Sequence, residues 1–247
     1  MNYYISGQSG FLGTAITEYL RKKKEYVYTI PREQSIYQLQ TLFWFIKPDY
    51  IIHLASYGNH YHQKDFIQMV NTNIINTYNL LEAAKFYNYK LFYNISTSSV
   101  ILGNQTPYSI TKFCGEQLAG MYKNVVNIRP YSVYGPGEAK HRFIPTVISC
   151  LNSGSGMVLD KQAVHAWIFI DDFIEALFAG ETKLGGVFTS NKEIVLMLED
   201  ISGKKLKYKT DKLRSYNCGD VMAPGICYTS LYEGLKRTYG YFTQKDH

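Results

Sequence analysis

Cysteine and proline are scarce in this chain, at four and seven of 247 residues. Cys114, Cys150, Cys218 and Cys227 form no short-spaced pair and have no histidine at metal-ligand spacing. That excludes a zinc knuckle and a disulfide framework and fits a reducing compartment. Long apolar runs are also missing. Nothing approaches the roughly 18 consecutive apolar residues of a membrane span, and a strand-like segment starts at once with no basic leader or cleavage site, so the expected location is cytoplasmic with no membrane partner. Repeats at a fixed period and long linkers are absent, which excludes solenoids and strings of independent domains.

What remains is a globular composition. The 46% of hydrophobic residues suffices for one large domain, or one with a small appendage. Lys and Arg number 26 against 20 Asp and Glu, a formal charge of +6 that favours anionic ligands without singling out nucleic acid, which is not an expected partner. The basic residues are dispersed apart from Arg21-Lys22-Lys23-Lys24 and the stretch from Lys204 to Arg214, and each run reads as a solvated surface. His60 and His62 share a face of an extended segment but have no third ligand nearby, so they read as an exposed loop and no metal is expected.

Short β-branched or aromatic runs alternate with longer segments of helical period, the pattern of a parallel sheet with crossover helices. Expected strands are Asn2 to Ser6, Tyr26 to Ile30, Tyr50 to Leu54, Lys90 to Ser96 and Val125 to Arg129. Expected helices are Phe11 to Lys23, Ile36 to Ile46, Asn71 to Tyr87 and Pro107 to Lys123, the last with Pro107 in its first turn. From Tyr131 the alternation weakens, and Gly135-Pro136-Gly137 and the 152–156 stretch mark turns. The expected fold is a Rossmann-type doubly wound α/β sheet over residues 1–130, with 165–190 returning to it and 131–164 and 191–247 forming a small substrate-binding subdomain.

Two constellations carry chemistry. In the first, an opening strand runs into Gly7-Gln8-Ser9-Gly10-Phe11-Leu12-Gly13 and then a helix. The first glycine permits a tight turn, the second lets the backbone approach a pyrophosphate, and the third lets helix pack close to strand. The helix N-terminus offers free N–H groups to that anion. At the end of the second strand, Ile30-Pro31-Arg32 has no acid before Glu33, which favours NADP(H) over NAD(H) with Arg32 on the 2′-phosphate. The alternative makes Arg32 an ordinary loop charge and Glu33 the partner of an NAD ribose.

In the second constellation, Tyr108 and Lys112 lie four apart on one helix face. A phenol is a poor proton carrier at neutral pH unless a neighbouring ammonium stabilises its anion. The hydroxyl cluster Ser96-Thr97-Ser98-Ser99 ends the preceding strand, so it borders the same crevice. Hydroxyl, phenol and ammonium together suit reversible hydride transfer at a carbonyl.

In order along residues 1–200, these segments resemble the extended short-chain dehydrogenase/reductases of the NAD-dependent epimerase/dehydratase family. They are Gly7-x-x-Gly10-x-x-Gly13, the run Pro48 to Ser56, Asn73 to Thr77 before Leu80-Leu81-Glu82-Ala83, Ser96 to Val100, Tyr108-x-x-x-Lys112, Arg129 to Pro136 and Ile170-Asp171-Asp172. The resemblance implies Thr97, Tyr108 and Lys112 as catalytic residues, with Lys112 also on the nicotinamide ribose. It places Gly7, Ser9, Gly10, Phe11, Leu12, Gly13, His53, Leu54, Ala55, Ser56, Tyr131 and Val133 along the cofactor, and Asn73 as a buttress beside it. Tyr57, Ser98, Ser99, Arg142 and His165 are expected on a nucleotide-sugar substrate. A homodimer is implied as well, in which the helices bearing Asn71 and Tyr108 from two copies make a four-helix contact. Members of the family usually run longer, so this chain reads as one with a shortened C-terminal part.

Departures from the family pattern narrow the activity. In the 4,6-dehydratases an aspartate and a glutamate follow the catalytic threonine, where this chain has Ser98 and Ser99. Elimination of water without those carboxyls is hard to run. In 3,5-epimerase/4-reductases a cysteine stands where Ser99 is. An arginine that helps grip the substrate phosphate in the family is replaced in the stretch His165-Ala166-Trp167, leaving Lys140 or Arg142 as alternative cations. The reading that survives is NADPH-dependent reduction of a nucleotide-linked 4-keto-6-deoxy sugar, with a 4-epimerase holding NAD as the alternative.

Overall fold

The structure, a computed structural model, describes every residue except 30–34, 102–105, 161–162, 212–224 and 245–247. It divides into two compact units, Met1–Arg129 and Pro130–His247.

In the first unit the expected alternation forms a parallel sheet. The strands are β1 (Asn2–Ser6), β2 (Tyr26–Tyr28), β3 (Tyr50–His53), β4 (Leu91–Ile95) and β5 (Val125–Pro130), in spatial order β2-β1-β3-β4-β5. Their starts are aligned: Asn2 pairs with Tyr26, Tyr3 with Tyr50, Tyr50 with Leu91, and Phe92 with Val125. All carboxyl ends therefore lie at one end of the sheet. Between β1 and β3 the winding direction reverses, which opens the crevice where doubly wound sheets take ligands.

The crossovers are α1 (Phe11–Lys22), α2 (Ile36–Ile46), α3 (Phe66–Val70), α4 (Asn76–Ala84) and α5 (Pro107–Ala119). Serine and threonine start two of them: Ser35 forms a capping box with Gln38, and Thr106 forms one with Ser109 just before Pro107. Leu39, Phe43 and Ile46 of α2 pack with Leu80, Leu81 and Ala84 of α4 against Ile51 and Phe92 of the sheet.

The helix expected over 71–87 is not uniform. Asn71–Ile75 is a π-helical segment, and regular α-helix begins at Asn76. The wider turn aims the Asn73 side chain at the Tyr57 backbone and at Thr111 of α5. Hydrophobic period alone does not encode such a bulge. Helix α3, capped by the Asp65 side chain, was not expected, and α5 stops at Ala119 rather than Lys123.

The second unit holds more regular structure than its turn-rich sequence suggests. Its elements are β6 (Ser132–Tyr134), α6 (Phe143–Ser153), β7 (Gly156–Asp160), β8 (Val164–Phe169), α7 (Ile170–Phe178), β9 (Lys183–Leu184), β10 (Val187–Ser190), α8 (Asn191–Ser202), β11 (Lys207–Asp211) and α9 (Leu231–Gln244). Strand β8 pairs parallel with β6 and antiparallel with β10, and β7 pairs parallel with β11. Buried Tyr134, Trp167, Phe169 and Phe173 dominate this core. The buried Asp172 carboxylate accepts the backbone N–H groups of Tyr228 and Thr229 and the Thr229 hydroxyl, which ties the approach to α9 onto α7.

Candidate active site

The glycine turn sits at the carboxyl end of β1, and its three glycines differ in what they exclude. Gly7 has φ of +75°, and a Cβ there would lie 2.6 Å from the Ala55 nitrogen. At Gly13 a Cβ would meet the Gly7 carbonyl oxygen at 2.3 Å and the Gln8 Cα at 2.6 Å. At Gly10 the nearest atom is the Gly7 oxygen at 3.4 Å, so the protein itself has room for a side chain. The absence of a side chain at Gly10 thus points outward, to something that must approach this backbone.

Gly10 also caps α1 without a side-chain bond, and no acid lies in the first turn, so Phe11, Leu12 and Gly13 leave helix N–H groups for an anion. Ser9 is exposed beside them. This cradle fits the pyrophosphate of a dinucleotide. Arg32, expected on a 2′-phosphate, lies outside the described residues, as does Glu33.

Next to the cradle, the end of β3 is held by a buried chain of hydrogen bonds. Thr77 donates its hydroxyl to the Asn73 carbonyl at 2.9 Å, so it receives the His53 Nε2–H, also at 2.9 Å. The opposite ring nitrogen, Nδ1, then accepts the Ser6 hydroxyl at 2.6 Å. Burial drives His53 down to about 3, with the Lys112 charge acting in the same direction, and the ring stays neutral. His53 was expected to line the cofactor. At 1% exposure it is instead a cross-brace beneath Leu54 and Ala55, which are half-buried, while Ser56 is exposed.

Asn73 continues this network. Its carboxamide oxygen accepts the Tyr57 N–H at 2.9 Å, and its amide donates to the Tyr57 carbonyl at 2.8 Å and to the Thr111 hydroxyl at 2.9 Å. Thr111 in turn donates within α5 to the carbonyls of Pro107 and Tyr108. The turn of α5 that carries Tyr108 is thereby braced against the loop that carries Tyr57.

At the end of β4, Thr97 caps a short 3₁₀ turn, Ser98–Val100, accepting the Ser99 N–H and donating to the Ser99 hydroxyl, each at 3.2 Å. Lys112 is 3% exposed and donates its ammonium to the Ile95 carbonyl at 2.8 Å, two residues before Thr97. Burial lowers Lys112 to about 8, opposed by the Glu116 carboxylate one turn on. Glu116 is itself held by Arg129 through Nε at 3.0 and 3.2 Å and Nη2 at 2.6 Å. Tyr108 is half-buried, one turn before Lys112 on the same helix face. Thr97, Tyr108 and Lys112 thus stand on elements locked together at the carboxyl end of the sheet. Glu116, Arg129, Thr77 and Thr111 were not anticipated, because their role lies in contacts distant in sequence.

The remaining candidates belong to the second unit. Tyr131 and Val133 are half-buried around β6. His165 Nδ1 lies 3.3 Å from the Ser132 hydroxyl, with its ring 5.1 Å from that of Trp167. Arg142, at the N-terminus of α6, places Nε 3.7 Å from Glu138 Oε1. Burial pushes the Glu138 carboxyl up to about 8 against the pull of Arg142. Glu138 carries no sequence signature. Among the described residues no group of three or more His, Cys, Asp or Glu side chains could hold a metal ion, and no helix is long and apolar enough to cross a membrane.

A family model described as the NAD dependent epimerase/dehydratase family matches residues 3–183. The CDP-abequose synthase of Yersinia pseudotuberculosis is 27% identical, with 99% of each chain covered. The GDP-6-deoxy-D-talose 4-dehydrogenase of Aggregatibacter actinomycetemcomitans is 24% identical, covering 86% of this chain and 84% of that protein. A crystal structure of UDP-glucose 4-epimerase from Thermotoga maritima with UDP-glucose superposes with a TM-score of 0.82 at 22% identity, covering 100% of both chains.

Proposed function

The chain belongs to the NAD dependent epimerase/dehydratase family, and from that premise we propose that it reduces a nucleotide-linked 4-keto-6-deoxy sugar with NADPH, Tyr108 supplying the proton. The observation that carries reduction is the turn after Thr97. Its side chains are the hydroxyls of Ser98 and Ser99, and Ser99 is already bonded to Thr97. Elimination of water needs a carboxyl acid there, whereas carbonyl reduction needs only a hydroxyl to orient the substrate and a phenol to protonate it. The name of the Aggregatibacter relative, a dehydrogenase at position 4 of a nucleotide-linked 6-deoxy sugar, supports the same chemistry.

The nicotinamide, when bound, supplies the hydride. Gly7, Gly10 and Gly13, with the first N–H groups of α1, would hold its pyrophosphate, and Leu54 to Ser56 would border it. Thr97 Oγ1 orients the keto oxygen. The Tyr108 phenol gives its proton to that oxygen as the carbonyl carbon is reduced, so the product is an alcohol and a phenolate is left. The Lys112 ammonium, one helical turn away, stabilises that phenolate until solvent reprotonates it. Tyr57, Ser98, Ser99, Arg142 and His165 are assigned to the sugar nucleotide. NADP(H) is preferred to NAD(H) on the strength of Arg32, and the Michaelis constants for NADPH and NADH test that choice directly.

A 4-epimerase is the second reading, favoured by the superposition on UDP-glucose 4-epimerase. A panel of nucleotide-linked 4-keto sugars with NADPH separates the two. A reductase consumes NADPH stoichiometrically, seen as falling nicotinamide absorbance, whereas an epimerase copurifies with NAD and shows no net change.

The functional unit is proposed to be a homodimer. Ile75 and Tyr78 around α4, with Ile110 and Phe113 on α5, are 40–46% exposed on helices that pack side by side. These are the helices expected to meet their copies in a four-helix contact. Light scattering at micromolar concentration tests it, and a monomeric mass overturns it.

A further inference from the structure

The turn between β6 and α6 holds a carboxyl that the proposed reaction leaves without a task. Glu138 is 6% exposed, and its Oε2 is sealed from water with no hydrogen-bond partner. The turn around it is fixed. Glu138 N–H donates to the Gly135 carbonyl at 3.2 Å and Arg142 N–H to the Ala139 carbonyl at 2.9 Å, while a Cβ on Gly135 would lie 2.5 Å from Ile170 Cγ2 at the start of α7. A carboxyl buried in this way is costly unless it is kept neutral or given a charged partner.

That partner is Arg142, whose Nε lies 3.7 Å from Glu138 Oε1 and which makes no other ion pair among the described residues. The other titratable groups on the elements around the turn are engaged elsewhere or exposed. On α7, Asp171 pairs with Arg237, and Asp172 accepts the Tyr228 and Thr229 N–H groups. On β8, His165 lies against Ser132; on β6, Tyr134 donates to the Leu231 carbonyl. Lys140 and His141 in the turn itself are exposed, and α6 contains no charged residue. Arg142 stands where an anion can meet it. Its side chain is 38% exposed, and the helix it precedes has no acid in its first turn and no side-chain cap, so the positive end of α6 adds to the guanidinium charge.

We propose that Glu138 is a positioning residue that couples one proton to the hold of Arg142 on the diphosphate of the sugar nucleotide. The coupling rests on the reading of Arg142 as a substrate contact. As a neutral acid, Glu138 leaves the guanidinium charge to the ligand. As a carboxylate it claims that charge, and the diphosphate meets a neutralised pair. Burial places the change at about 8, against the pull of Arg142, so the acid is the main form at neutral pH. A bound diphosphate, being negative, favours the acid further. Weaker binding at alkaline pH and proton uptake on binding are then one linkage seen from its two sides.

Isothermal titration calorimetry of the full-length protein with UDP-glucose, CDP-glucose and dTDP-glucose tests this, because a diphosphate diester keeps its charge between about pH 7 and 9. The affinity of the sugars that bind should fall about five- to tenfold across that range, and binding at about pH 8.5 should take up a proton, seen as a heat that varies with the ionisation enthalpy of the buffer. Lys112 also titrates in this window, so Glu138→Gln assigns the step. Its affinity at about pH 9 should stay within about twofold of its own value at about pH 7, without proton uptake. Arg142→Gln should bind about 10- to 100-fold more weakly at neutral pH, the loss of a charge-assisted hydrogen bond, and should also lack the step. The reductase reading is decided separately, by NADPH consumption with 4-keto sugars, which these titrations do not measure. The proposal is overturned by no binding of any of these sugars, by a wild-type affinity that holds across the range, or by a Glu138→Gln or Arg142→Gln variant that keeps the step.

Discussion

Replacing Gly10 and Gly13 separately by alanine tests whether the glycine turn is built for a ligand or only for the fold. At Gly13 the new Cβ would sit 2.3 Å from the Gly7 oxygen and 2.6 Å from the Gln8 Cα, and backbone on both sides leaves no side chain to swing aside. Overpacking of this kind costs about 1–3 kcal/mol or more. For a chain of this length each kcal/mol moves Tm by roughly 2–4 °C, so Gly13→Ala should melt about 2–12 °C lower. At Gly10 the nearest atom stands at 3.4 Å, and the residue has an ordinary φ that alanine accepts. Gly10→Ala should melt within about 2 °C of the parent, since the fold loses no contact. Its methyl would instead keep a pyrophosphate off the backbone, weakening dinucleotide affinity by about 10- to 100-fold, or roughly 1.4–2.8 kcal/mol. Differential scanning fluorimetry gives the melting points, and titration of NADPH by its fluorescence gives the affinity. Unchanged affinity in Gly10→Ala would refute the assignment of this turn to a dinucleotide, even if Gly13→Ala behaved as expected.

Tyr108→Phe should lower turnover at least ~100-fold while NADPH binding persists, because only the proton donor is lost; unchanged activity would remove Tyr108 from the reaction. Lys112 is charged below about 8 and neutral above it, so kcat/KM should hold a plateau on the acid side and fall as pH rises through that value. Glu116→Gln, which removes the carboxylate supporting that charge, should move this alkaline limb to lower pH, and a limb that stays in place would disconnect Lys112 from it. His53, with a folded value of about 3 against an ordinary 6.5, binds a proton more readily in the unfolded chain between those limits. Its contribution to stability is complete above pH 6.5 and should decline by about 1.4 kcal/mol per unit as pH falls toward 3. Urea midpoints measured across that range should show this slope, and His53→Gln should flatten it.

The parallel sheet and the two candidate constellations were legible because each depends on residues close in sequence. A glycine turn, a Tyr–Lys pair one helical turn apart and a hydroxyl cluster at a strand end are local patterns with a physical period. The supporting contacts were not legible. Ser6, His53 and Thr77 are 24 to 47 positions apart in the bonds they share, and the Thr111 bond to Asn73 spans 38. Nothing in a hydrophobic pattern marks such pairs in advance. His53 shows the consequence: its place in the run Pro48 to Ser56 suggested a cofactor contact, yet the ring points into the unit, where both nitrogens are occupied. The π-helical segment escaped notice for the related reason that its benefit, aiming Asn73 at two separate elements, exists only once those elements have packed.

The brevity of the chain also takes on a more specific meaning. The Rossmann order 3-2-1-4-5-6 places a strand beyond the second one. Within the first unit the order is β2-β1-β3-β4-β5, and α2 begins at Ile36, so the described residues hold no strand outside β2. Among the described residues the first unit therefore lacks the outermost strand of that order. The crevice survives this loss because it is defined by the reversal between β1 and β3, with Gly7 against Ala55 at its floor. On the proposed reading, the missing strand would change what flanks the 2′ position of a dinucleotide, while the glycine turn and the supports of Thr97, Tyr108 and Lys112 are intact. Cofactor preference is thus the property most exposed to the shortening and proton transfer the least, which is why the NADPH-to-NADH comparison and the Tyr108→Phe variant probe independent parts of the molecule.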